Sequence, residues 1–127
     1  MSYRRAVLDA ARSPVASARV AAWAWAEARR LAGALGRDGI AAVGAIRPPP
    51  ATATGNRSTV AVALRLAGAT CLERSAVLQR WDADHDAPRA LVVGVARDPD
   101  GCFAAHAWLE GDDDGAGFVE LHRHLPG

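Results

Sequence analysis

Three consecutive prolines, Pro48-Pro49-Pro50 after Arg47, constrain this chain more than any other feature. Each ring locks its φ and removes a backbone donor, so neither a helix nor a central strand runs through them. The run is an extended linker. It divides the sequence into an N-terminal helical arm, residues 1–46, and a core, residues 47–127. With 127 residues, the two make one compact domain overall.

From about Tyr3 to Leu35 the chain reads as helical, with Pro14 starting a second helix or kinking a continuous one. Val7, Leu8, Val15, Val20, Leu31 and Leu35 make no single stripe. With so many alanines around the circumference, a helix buried on more than one side is expected. Trp23 and Trp25 read as core or interface anchors. Gly36 to Gly44 is expected to end the helix.

Beyond the linker, Asn56 or Ser58 can cap a helix over Thr59 to Leu66. Gly68-Ala69 turns the chain into another helix that runs to Trp81. Asp82 to Pro88 reads as a solvated polar loop. Leu91 to Val95 is the clearest strand. Cys102 to Glu110 follows the turn Arg97-Asp98-Pro99-Asp100-Gly101. Its alternation sets Phe103, Ala105, Ala107 and Leu109 against Ala104, His106, Trp108 and Glu110. Asp112 to Gly115 reads as a second hairpin turn, and Phe118 to His122 as a third strand. Helices followed by an antiparallel meander give an α+β layout.

Composition removes several function classes. Net charge is +1, so nothing marks a nucleic-acid or membrane-surface binder. All fifteen basic residues are arginine, which excludes a lysine nucleophile or Schiff base. Two cysteines are no secreted disulfide framework. Asp9, Arg12 and Arg19 interrupt any signal-peptide core, and no run approaches a membrane span. A cytoplasmic protein is the default. Asp82-Ala83-Asp84-His85-Asp86 lacks the Gly and distal Glu of a calcium loop, and His122 with His124 supplies only two ligands. No metal, cofactor or nucleotide is expected.

One constellation carries chemistry. Thr70 can cap the helix that follows, which places Cys71 in its first turn. There the helix dipole and unpaired amides favour the anionic form of a thiol. His106 lies on a strand further on. A helix-borne cysteine followed by a strand-borne histidine is how a thiol nucleophile and its base are assembled. Read alone, Cys71 is equally a small buried hydrophobe and His106 a half-buried histidine.

The order of elements at this point resembles the papain-like and transglutaminase-like cysteine peptidases. The run Gly68-Ala69-Thr70-Cys71-Leu72-Glu73-Arg74-Ser75, with Leu78-Gln79-Arg80, resembles the cysteine helix of the lasso-peptide leader peptidases. The strand Leu91 to Val95, followed by Phe103-Ala104-Ala105-His106-Ala107-Trp108-Leu109-Glu110, is similar to their histidine segment. The resemblance covers about Arg47 to Leu121. It implies a papain/transglutaminase-like core in which Cys71 attacks and His106 is the general base. Trp108, on the strand face of His106, either walls the substrate site or packs in the core. It implies an activity too: removal of the leader from a ribosomally made precursor through a thioester. The partners it implies are the precursor leader peptide, a separate leader-recognition protein and a lasso macrolactam synthetase.

The third catalytic member departs from the family pattern, because Phe118 stands where its aspartate is expected. Glu120 faces His106 if the hairpin turns near Asp113, and Asp114 serves if the turn folds over the site. Two further readings stay open. One is a transglutaminase-like thiol acyltransferase or amidase acting on a small or carrier-bound acyl group. The other is a catalytically degenerate domain that binds a precursor or partner through its apolar helices.

Overall fold

The structure, a computed structural model, describes residues 3–50, 57–113 and 115–126. Among the described residues, five helical segments precede three strands. These are α1 (Tyr3–Arg12), α2 (Pro14–Asp38), a 3-10 segment (Gly39–Ala45), α3 (Arg57–Leu66) and α4 (Cys71–Ala83). The strands are β1 (Leu91–Arg97), β2 (Phe103–Leu109) and β3 (Val119–His124). The architecture is α+β.

Pro14 opens α2, where its missing N–H costs nothing and its φ suits a first turn. The helix does not end at Gly36. It runs on to Asp38, and Gly39 at φ +64° terminates it, its N–H bonding the Leu35 carbonyl. Gly33 and Gly36 weaken a helix by about 1 kcal/mol each relative to alanine, and burial of Val20, Ala24, Ala28 and Leu31 on the same helix outweighs that. Ser58 lies inside α3 and does not cap it; Asn56 lies outside the described residues.

One core joins the helices to the sheet. Val20, Leu31, Val60, Leu64, Val77, Trp81, Leu91 and Leu109 are all in it, so residues from both sides of the proline linker share a single apolar cluster. Trp23 packs against this cluster and tilts against Trp81 at 6.1 Å, while Trp25 is largely exposed.

The sheet is not a meander. Its order is β2-β1-β3, with β1 antiparallel to both neighbours. The reason lies in the strands themselves. Leu91-Val92-Val93-Gly94 is apolar on both faces, with Leu91, Val92 and Gly94 buried and Val93 partly so, which suits a central strand. Val119 to His124 carries four polar residues and is exposed up to Arg123, which suits an edge. The connection from β2 to β3 therefore crosses one sheet face.

Alternation gives that sheet two distinct faces. Leu91, Val93 and Leu109 point to the helices. Val92, Gly94, His106, Trp108 and Glu120 share the other face, in the rows Val92–Trp108 and His106–Gly94–Glu120. Here the crossing segment packs. A side chain at Gly115 (φ +66°) would overlap the Trp108 indole, and one at Gly94 would meet it at 3.0 Å. Two glycines thus hold Trp108 from either side.

Candidate active site

The start of α4 is fixed by a reciprocal capping box. Thr70 Oγ1 accepts the Glu73 amide at 3.2 Å, and the Glu73 carboxylate accepts the Thr70 amide at 3.2 Å. Cys71 is consequently the first helical residue, with a free, half-buried thiol. The box uses the Glu73 amide and leaves those of Cys71 and Leu72 as open donors of the first turn. Glu73 is half of this cap.

One turn further along α4, the buried Ser75 hydroxyl donates to the Ala107 carbonyl at 3.3 Å. This seats α4 on β2 beside His106. The imidazole points to the opposite sheet face. Its Nε2 lies 3.2 Å from Asp113 Oδ2. Its ring stacks on Trp108 (5.6 Å between centroids, 20° between planes) and tilts against Phe118 at 5.1 Å. No hydrogen bond joins Cys71 to the His106 ring. The structure therefore brings together His106, Trp108 and Asp113, and leaves the thiol across the strand.

The other acids fall differently. Glu120 shares the cross-strand row of His106, but β1 stands between them and Glu120 pairs with Arg123 at 2.7 Å. Arg123 also holds Glu110, and the two carboxylates raise the guanidinium above its ordinary pKa. Asp114 lies outside the described residues. Asp113, whose role sequence reading missed, accepts the Gly115 amide at 2.9 Å through its second oxygen. This is the local geometry expected of an aspartate before a glycine turn, and it is the one signal that marked the residue. Cys102 is exposed.

Asp82 is the larger correction. It is not in a solvated loop. α4 continues to Ala83, and Asp82 is only 3% exposed. It lies four residues after Leu78, so extending the buried face of the helix by one turn finds it. Arg57 grips it bidentately, at 2.8 and 3.0 Å. Arg57 also donates to Asp112 at 2.6 Å, as does Arg89 at 2.6 Å. Burial pulls the Arg57 guanidinium down, but its bonds to Asp82 and Asp112 more than offset this and raise its pKa.

Beside the His106–Asp113 pair opens a cleft of about 770 Å³. Trp108 and Phe118 line it with Glu110, Asp113, Glu120 and Arg123. Among the described residues, no three His, Cys, Asp or Glu side chains gather as a metal site, and no helix is long and apolar enough to cross a membrane.

A helix-borne thiol, and a strand-borne imidazole paired with a carboxylate from the segment that follows, mark this α+β scaffold as a candidate thiol-chemistry protein. The chain belongs to the transglutaminase-like superfamily, whose family model matches residues 3–123. That match spans the helical arm as well as the core. No curated protein and no solved structure matches the chain. Membership suggests cysteine-peptidase or acyltransferase-type activity.

Proposed function

We propose that the protein is a cysteine peptidase that removes the leader from a lasso-type peptide precursor. The observation that carries the reading is the Asp113–His106 pair, with His106 on the strand against which the capped helix of Cys71 packs, within a transglutaminase-like chain. The precursor leader peptide, a separate leader-recognition protein and a macrolactam synthetase are its proposed partners.

The chemistry follows from the groups present. Asp113 occupies Nε2, so Nδ1 is the nitrogen left to exchange a proton with the thiol. The Cys71 proton passes to Nδ1, and Sγ attacks the scissile carbonyl carbon. The open amides of Cys71 and Leu72 donate to the resulting oxyanion. The C–N bond breaks, Nδ1 returns its proton to the leaving amine, and a thioester remains. Water then adds with its proton going to Nδ1. The C–S bond breaks, releasing the acid and the thiol. This requires a rearrangement of β2 that turns the imidazole toward the thiol, since the two lie on opposite sides of the strand.

The absence of a thiol–imidazole hydrogen bond favours a second reading, a catalytically degenerate precursor-binding protein. One experiment separates the two. Iodoacetamide alkylation at neutral pH is followed by mass spectrometry at Cys71 and Cys102, in wild type and His106→Ala. The peptidase reading expects Cys71 to react at least tenfold faster than the exposed Cys102, and to lose that advantage without His106. Equal, His106-independent rates sink it. Cleavage of leader–core peptides is then expected in wild type and absent in Cys71→Ala.

A further inference from the structure

Asp113 is an exposed carboxylate on a connecting segment, and such a group ordinarily samples many positions. Its neighbour does not. Asp112 receives a guanidinium on each oxygen: Arg57 on Oδ2 and Arg89 on Oδ1, both at 2.6 Å. Arg57 is itself held by Asp82, buried in α4, and the Arg89 side chain comes within 3.8 Å of the same carboxylate. Two arginines and two aspartates thus tie the first residue of α3, the last turn of α4 and the turn after β2 into one charge-balanced cluster. It ends one residue short of Asp113.

We infer that Asp112, clamped by Arg57 and Arg89, is the positioning residue of the Asp113–His106 pair. The inference rests on the proposed role of His106 for its meaning in catalysis. Bidentate, charge-assisted bonds fix direction as well as distance. With Asp112 held from one side and Gly115 seated on Trp108 from the other, the backbone at 113 has little freedom left. The Asp113 carboxylate then reaches both the Gly115 amide and His106 Nε2. Arg57, the first residue of α3, makes the helical part of the chain contribute to a site that lies on the sheet.

The test reads the pose of Asp113 without turnover, so a failed peptidase assay does not bear on it. Amide exchange is measured at Gly115, and the ring-proton resonances of His106 are recorded, in the full chain. Asp112→Asn is expected to raise Gly115 exchange at least tenfold and to move the His106 signals towards those of Asp113→Asn. Exchange of the α2 core amides stays within twofold, which a general loosening would not allow. Asp112→Glu recovers part of both signals. If Asp112→Asn fails to fold, Arg89→Gln, which leaves the Arg57–Asp82 pair intact, is expected to move both signals in the same direction. Wild-type Gly115 exchange and His106 resonances in the folded variant, with Asp113→Asn altering both, overturn the proposal.

Discussion

At the scale of single residues, the sheet face that carries His106 depends on what two glycines omit. Gly115 has a positive φ, and any Cβ there would enter the Trp108 ring. Gly115→Ala combines left-handed strain with overpacking, so we expect a loss of about 1–3 kcal/mol, read as a lower urea midpoint. Trp108 is 9% exposed and stacks on the imidazole. Its truncation, Trp108→Ala, is expected to cost about 3–5 kcal/mol. A loss under 1 kcal/mol would mean that the crossing segment does not pack on the indole. The pattern His106-Ala107-Trp108 placed both rings on one face from sequence alone, because a strand's period of two leaves no choice. The two glycines were visible only as turn or strand-weakening residues, since the atom they make room for comes from another strand.

At the scale of elements, α4 is held at both ends. Its start is the Thr70–Glu73 box, and Thr70→Ala is expected to cost about 1 kcal/mol, with Thr70→Ser close to wild type. Near its other end the buried Gln79 amide donates to the Arg89 and His124 carbonyls, at 2.9 and 2.8 Å. Gln79→Leu strands both acceptors and is expected to cost about 1–3 kcal/mol, with faster exchange at the ends of β1 and β3. The cap was readable because capping is local, a threonine followed three residues on by a glutamate. Gln79's partners were not, because one lies just before β1 and the other at the end of β3, 10 and 45 residues away. Strand order was missed for a related reason. Adjacent strands in sequence favour a hairpin, but the more apolar β1 claims the centre.

At the scale of the whole molecule, the Asp82–Arg57–Asp112–Arg89 cluster joins the helical layer to the sheet. Asp82→Asn leaves Arg57 half-buried with one carboxylate partner, and we expect a loss of about 3 kcal/mol, at the low end for breaking a buried pair. The pH dependence follows from direction. A raised Arg57 pKa makes its contribution complete below the ordinary guanidinium value and lost only as pH rises through the higher folded one. Arg57→Leu is therefore expected to shift the thermal midpoint equally at pH 7 and pH 10; a shift that shrinks between them would remove Arg57 from the network.

The amino-acid sequence by itself determined the helices before the strands, the break at Pro48–Pro50, the helix start at Cys71 and the strand face of His106. Each depends on interactions within a few residues, where propensity, capping and period decide. Tertiary structure alone decided which acid meets the imidazole. Glu120 and Asp114 were the expected candidates. Among the described residues the carboxylate at His106 is that of Asp113 and not Glu120, because β1 stands between β2 and β3; Asp114 lies outside them. Ion pairs that span 23, 25 and 55 residues leave no period in the sequence, so the charge cluster at this turn could not be read there.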